Sequence, residues 1–362
     1  MQSDLLTAVR GLVTERLVRA LEEHTAPFTQ LGAPMADLLR PAQDLLAGGK
    51  RLRALLCAAG WSAAHGDLEH VRDDAVVRAG AALELFQAAA LVHDDVMDGS
   101  LLRRGMPAAH RRFAADHDRQ GWLGDPSAYG EAGAILLGDL LLTVSSMEMD
   151  LARALAPDGP RVRAVYDLMV SEVAVGQYLD IRAQARPWDD DPRAAVERAL
   201  QVVRHKSARY SVEHPLVLGA ALAGAEEHLL ARLAEVGLPL GEAFQLRDDD
   251  LGVFGDPEVT GKPAGEDLRE GKRTVLVALA MERLGEQDRR YLESMLGRPD
   301  LGPDQVAGLQ GLLQGCGAVA AHEELIEERA TAGLRAVAAA GLARDVEEAF
   351  VELAHALTRR SA

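Results

Sequence analysis

Residues 84–98 read ELFQAAALVHDDVMD, an apolar stretch that closes on three acids, Asp94, Asp95 and Asp98. With Leu83 just upstream, Phe86, Ala90 and Leu91 recur at helical spacing, so the stretch is expected to be a buried helix. Asp94 and Asp98 lie four residues apart, which stacks their carboxylates on one helix face. Such a pair repels by about a few tenths of a kcal/mol when exposed and by more when buried. Negative charge is also unfavourable at a helix C-terminus. Something positive has to relieve it, and Arg103 and Arg104 follow closely. A second stretch, FQLRDDD over residues 244–250, repeats the design with Asp248, Asp249 and Asp250. Two such clusters suit hard divalent cations, which carboxylates hold together with phosphates.

Around these stretches nearly every segment keeps the same period. Leu52, Leu55, Leu56 and Ala59 make another apolar face, and strand-like alternation does not persist. Breaks are expected at residues 26–34, 99–107, 116–130, 157–160, 186–192, 256–271 and 297–303, where Pro, Gly and polar residues cluster. The Ala-rich run 336–343 reads as plain helix. Of the 362 residues 48% are hydrophobic and only 4% aromatic, so helix formers dominate over strand formers. The expectation is an all-α chain, a single large helical bundle over residues 1–362 with its site among facing helices.

The formal charge of −17 argues against nucleic acid or an anionic membrane surface as the main partner. Cys57 and Cys316 lack metal-site spacing and are expected to be buried thiols of a reduced compartment. The start of the chain lacks the pattern of a secretory signal, and the most apolar run, residues 134–142, contains Asp139 and is too short to cross a bilayer. A cytoplasmic protein without stable membrane insertion is expected.

Further elements flank the acids in a fixed order: GGKRLR at 48–53, RRGMP at 103–107, GQYLD at 176–180, KSARY at 206–210, and a polar segment carrying Lys262, Asp267, Lys272 and Arg273. Taken alone, a Gly-Gly before a basic helix start or a charged loop is commonplace. In this order, from Gly48 to Thr274, the chain resembles the trans-isoprenyl diphosphate synthases, or polyprenyl synthetases. The resemblance implies the all-α fold of the isoprenoid synthases, a homodimer, and a central cavity holding three Mg²⁺. There isopentenyl diphosphate would attack the cation left by an allylic diphosphate.

By matching position, the resemblance makes Asp94, Asp98 and Asp248 metal ligands, with Asp95 and Asp249 supporting them. It gives the allylic diphosphate to Arg103, Lys206 and Lys262, and that of isopentenyl diphosphate to Lys50, Arg53 and Arg104 with Gln87 in the same pocket; Ser207 and Lys272 are further implied substrate-binding residues. Gln177 and Asp180 would support the metal–diphosphate cluster, and Gln245 would lie near the reacting chains. Of these, Asp94, Asp95, Asp98, Arg103, Lys206, Gln245, Asp248, Asp249 and Lys262 form the implied catalytic set. Mg²⁺, Lys and Arg suit the task because breaking the allylic C–O bond builds negative charge on the leaving diphosphate. His93 reads as a structural or supporting residue rather than as a base, since that diphosphate can accept the final proton, and His110 is open between the same two readings.

Three positions depart from the family pattern. Gly252 stands where the family often has an Asp, with Asp250 or Asp256 as candidates to compensate. Gln87 replaces a frequent His and can donate to phosphate without carrying charge. Ala54 stands where Pro is usual. For product length, Ala90, Ala89 and Phe86 lie four, five and eight residues before Asp94, at successive depths of about 5.4 Å per turn. In the family an aromatic residue five before the motif closes the pocket at farnesyl length. Ala89 leaves it open and Phe86 is the natural floor, so geranylgeranyl diphosphate is expected from a farnesyl, geranyl or dimethylallyl primer. The alternatives are a synthase of farnesyl or longer products, or a non-catalytic regulatory subunit of a prenyltransferase. A terpene cyclase would carry an Asn/Ser/Glu metal triad where this chain has FQLRDD.

Overall fold

The computed structural model of the chain describes residues 2–188, 191–256 and 264–358. Among the described residues the elements are helical except for one short ladder, β1 (Leu102–Arg103) paired antiparallel with β2 (Met106–Pro107). They fall into two compact units, Met1–Ala164 with Pro215–Glu227, and Val165–His214 with His228–Ala362.

The first unit contains α1 (Gln2–Thr25), α2 (Ala33–Ala47), α3 (Leu52–His65), α4 (Asp74–Met97), α5 (Ala109–Gln120) and α6 (Pro126–Arg153). Apolar on nearly every side, α4 packs against α1, α3 and α6. Leu83, Leu85 and Phe86 of α4 and Leu137 and Leu141 of α6 are buried, each burial contributing about 1.5–3 kcal/mol. The Ser145 hydroxyl donates to the Ala82 carbonyl at 2.6 Å and ties α6 to α4. Asp125 caps the start of α6 by accepting from the Ser127 N–H at 3.0 Å, with Pro126 in the first turn. Glu148 of α6 is fully buried and answered by Arg16 and His24 of α1, at 2.6 and 2.7 Å.

Helices α4 and α6 are each long and apolar enough to cross a membrane by length and composition, which corrects the expectation drawn from the nine-residue run alone. In α4 78% of the apolar window is buried inside the protein, as a core helix requires, against 44% in α6. Ile135, Leu136, Met147 and Leu151 are accordingly exposed on α6.

Helix α7 (Gly159–Ala185) carries the chain from the first unit into the second. There follow α8 (Pro192–Val202), a π-helix (Val203–Glu213), α9 (His214–Leu222), which returns to the first unit, and α10 (Glu227–Phe254). The remainder is α11 (Glu266–Glu270), α12 (Val275–Arg283), α13 (Glu286–Met295), α14 (Pro303–Gly315), α15 (Ala318–Ala339) and α16 (Arg344–Thr358). The apolar run Val275–Met281 makes α12 the centre of this unit's core, packed against α8, α14 and α15.

Three local expectations change. The break foreseen at 116–130 narrows to residues 121–125. The Ala-rich run is not one helix: α15 stops at Ala339, Gly341 takes φ +69°, and α16 starts at Arg344. A left-handed glycine ends a helix whatever the propensity before it, and Arg232 on α10 fixes the turn by donating to the Ala340 carbonyl at 3.0 Å. Cys57 is buried and its thiol is pushed up to about 12 by that burial, whereas Cys316 is only half-buried.

Candidate active site

In the first unit the acids close α4. Asp98 sits just past its end and its N–H bonds the Asp94 carbonyl at 2.8 Å, so the stacked geometry is present. Asp95 points inward and is 2% exposed. The Arg103 guanidinium donates to Asp95 through Nε at 2.9 Å and also through Nη2, and it stands 3.9 Å from Asp94. Asp95 thus aims Arg103 at the outer acids. Two donors of the guanidinium converge on one carboxylate oxygen, Asp95 Oδ1, and these charge-assisted bonds hold it in place. Gln87 is half-buried two turns below Asp94 on the same helix.

Beside them lies the basic loop between α2 and α3. Arg51 and Arg104 have positive φ, 53° and 54°, a conformation that non-glycine residues hold only when their surroundings over-determine it. Arg51 is buried, donating to the Leu46 carbonyl and, at 3.2 Å, to the Thr14 hydroxyl, with Glu84 at 3.9 Å. Arg104 donates to the carbonyls of Leu45 and Gly48 at 2.8 and 3.0 Å, capping the end of α2. The turn at Arg104 separates two neighbours: Arg103 goes to the acids and Arg104 to the loop. Lys50 is exposed and Arg53 half-buried in the first turn of α3. Ala54, in place of the usual Pro, supplies an N–H that Pro lacks, and it bonds buried Glu84 at 3.3 Å.

The second unit holds the remaining described residues. On α7, Asp180 is buried and accepts from Lys206 Nζ at 2.5 Å and from Gln184 at 3.2 Å. Gln177 is half-buried on the same helix. The Ser207 hydroxyl donates to the Gln245 carbonyl oxygen, and the Gln245 amide donates to Asp249 at 2.7 Å. Asp248 and Asp249 lie on α10, one turn before its end. Burial first, then the neighbouring Asp267 and Asp248, push the Asp249 carboxyl well above the ordinary carboxylate range. Lys272 is 2.7 Å from Glu270 and 3.6 Å from Asp267. Lys262 lies outside the described residues.

The structure places a third acid beside Gly252. Neither Asp250 nor Asp256 takes up the missing side chain: Asp250 pairs with Arg247 at 3.5 Å, and Asp256 is exposed. It is the Asp267 carboxylate that fills the space, since a Cβ built on Gly252 would lie 2.0 Å from its Oδ2. His93 is held at the Ile135 carbonyl, 3.1 Å, with Asp139 at 3.4 Å, and His110 is buried with its pKa lowered, chiefly by that burial. Sequence reasoning overlooked Arg51, Glu84 and Glu172. The spacing of Glu172, Gly176 and Asp180, three residues on one stripe of α7, was the available signal for the last.

Among the described residues no three His, Cys, Asp or Glu side chains converge as a ready-made metal cage. Mg²⁺ asks for less: one or two carboxylates, with phosphate oxygens and water filling the octahedron. Asp94 with Asp98, and Asp248 on α10, are hard oxygen donors of that kind, and the crowding of Asp248, Asp249 and Asp267 is an excess of negative charge that a cation offsets. The donor chemistry fits.

The polyprenyl synthetase family profile matches residues 35–311. A geranylfarnesyl diphosphate synthase of Aeropyrum pernix is 33% identical over 279 residues, 75% of this chain and 78% of its own. A geranylgeranyl diphosphate synthase of Mycobacterium tuberculosis is 33% identical over 286 residues, 78% of this chain and 73% of its own. Among solved structures, a geranylgeranyl pyrophosphate synthase of Corynebacterium glutamicum, complexed with isoprenyl diphosphate and magnesium, superposes with a TM-score of 0.91 at 36% identity. It covers 98% of this chain and 99% of that one. The fold is therefore that of the isoprenoid synthases, a class of helical enzymes working on prenyl diphosphates. The chain belongs to the polyprenyl synthetase family, and its activity is that of a trans-prenyltransferase.

Proposed function

We propose that this prenyltransferase condenses isopentenyl diphosphate with an allylic diphosphate, farnesyl or shorter, to give geranylgeranyl diphosphate. Three Mg²⁺ held by Asp94, Asp98 and Asp248 would neutralise the diphosphate and strengthen it as a leaving group. Arg103, held by Asp95 in the first unit, and Lys206, held by Asp180 in the second, are the cations that the family resemblance, with Lys262, gives to the allylic diphosphate, where positive charge favours a leaving group whose negative charge is growing. Lys50 and Arg53 take the diphosphate of isopentenyl diphosphate, with Gln87 as a neutral donor and Arg104 shaping the loop that carries them. As the allylic C–O bond breaks, the isopentenyl double bond forms the new C–C bond, and the proton lost next passes to the departed diphosphate. Fixed contacts at His93 agree with a reaction that needs no histidine base.

The observation that carries the product length is the series beneath Asp94 on α4: Ala90 half-buried, Ala89 and Phe86 buried. Two methyl side chains leave depth that an aromatic ring would fill, and Phe86 then closes the next turn. The test is an assay of the purified protein with isopentenyl diphosphate, Mg²⁺ and each primer in turn. A 20-carbon product is expected, with Ala89→Phe shortening it and Phe86→Ala lengthening it. A 25-carbon product from the unaltered chain, the length in the Aeropyrum relative's name, would refute Phe86 as the floor. The protein is further proposed to be a cytoplasmic homodimer.

A further inference from the structure

We infer that Glu172 is a positioning residue for the prenyl transfer: it holds residues 203–213 in π-helical winding and so sets where Lys206 and Ser207 stand. Its carboxylate takes two partners from that segment and a third, His214, from the residue that directly follows it. Oε1 accepts from His205 Nδ1 at 2.6 Å and from Arg209 at 3.1 Å, and Oε2 from His214 Nε2 at 2.7 Å. Nine residues separate His205 from His214. In an α-helix that is two and a half turns, which puts the two imidazoles on opposite sides. With i→i+5 winding, roughly nine residues make two turns, and both face one carboxylate. The three contacts can form together only in the wide helix, so the carboxylate selects it.

The same stripe of α7 does the rest. Gly176, one turn after Glu172, lets the π-helix backbone lie directly on α7: a Cβ there would come within 2.3 Å of the Lys206 N atom. One turn further, Asp180 receives Lys206. Glu172, Gly176 and Asp180 therefore hold the segment at a carboxylate, a backbone contact and a second carboxylate. Burial pushes the Glu172 carboxyl upward, but the hydrogen bonds of His214 and His205 and the charge of Arg209 win and hold it below the usual range. The carboxylate is thus the form present at neutral pH. Without it, narrowing to α-winding rotates Lys206 away from Asp180 and Ser207 away from Gln245.

This inference rests on the reading that Lys206 grips the allylic diphosphate, and the two are tested apart. Glu172→Ala, Glu172→Gln and Lys206→Ala are compared by steady-state kinetics, varying each substrate, and by amide hydrogen exchange. Glu172→Ala is expected to raise KM for the allylic diphosphate about tenfold, the scale of a lost charged hydrogen bond, while KM for isopentenyl diphosphate stays within about twofold. Exchange should accelerate across residues 203–213. Glu172→Gln keeps the size and part of the bonding and should fall between, which also guards against an alanine variant that fails to fold. Unchanged protection at 203–213 would overturn the inference. So would an equal rise in both KM values together with a general loss of thermal stability, the mark of a merely structural residue. If Lys206→Ala leaves the allylic KM unmoved, the role of Lys206 falls, and the exchange result alone decides the clamp.

Discussion

At the scale of single residues, Gly252 shows how a departure from a family pattern is settled in space rather than in sequence. Glycine inside a helix costs about 1 kcal/mol relative to alanine, so on propensity alone Gly252→Ala should stabilise α10. Overpacking a filled site costs about 1–3 kcal/mol, and here the new methyl would meet the Asp267 carboxylate at 2.0 Å. The larger effect should win. Thermal unfolding of Gly252→Ala is expected to show a lower Tm than the parent, and Gly252→Ala combined with Asp267→Ala should recover most of the difference. A simple gain of propensity-sized stability in the single variant would show that Asp267 swings aside freely. The alternatives visible in the sequence, Asp250 and Asp256, were close in number to Gly252. What mattered was a residue 15 positions away, brought there by the turn of α11.

At the scale of elements, period-3.6 patterning made the helices legible, and the acids at the end of α4 were legible from four-residue spacing alone. The π-helix was not, because residues 203–213 contain good α-formers and no Gly or Pro to betray a change of winding. Its cause lies on another element, in Glu172, so local sequence could not announce it. Arg104 was legible as a cation near the acids but not as the cap of α2, since that role needs a left-handed turn at a non-glycine residue. The π-helix ends on Glu213, whose carboxyl is pushed up to about 7 by burial, an effect opposed by Arg209 and reinforced by Glu172. The folded protein keeps this proton up to about pH 7, whereas the unfolded chain loses it near 4.5, the ordinary value of a glutamate. Stability from this group is therefore full below about 4.5 and is lost as pH rises through 7, by about 3 kcal/mol at most. Glu213→Gln lacks the titration. Its denaturation midpoint relative to the parent should rise between pH 5 and pH 8, and a pH-independent difference would mean that Glu213 is ionised in the folded state throughout.

At the scale of the whole molecule, charge and apolar surface pull in opposite directions. A formal charge of −17 drives copies of the chain apart, so self-association needs a surface whose burial outweighs that repulsion. The exposed face of α6 supplies one: Leu136 is 62% exposed, and Met147 and Leu151 follow it at helical intervals on the same helix. Soluble monomers seldom leave such a row open along a helix this long, and the net negative charge disfavours an anionic lipid surface as its cover. The homodimer proposed above would cover it with the same apolar row of a second copy. Substituting Glu at both Leu136 and Met147 places charges where the two rows would meet, and a buried unpaired carboxylate costs several times the energy of a lost apolar contact. Light scattering after size exclusion should then give roughly twice the 38.7 kDa chain mass for the parent and the single-chain mass for the double variant. Unfolding cooperativity should be retained in that variant, since neither side chain belongs to the core. A parent that is already monomeric, and that sediments with neutral vesicles in an α6-dependent way, would assign the face to lipid instead.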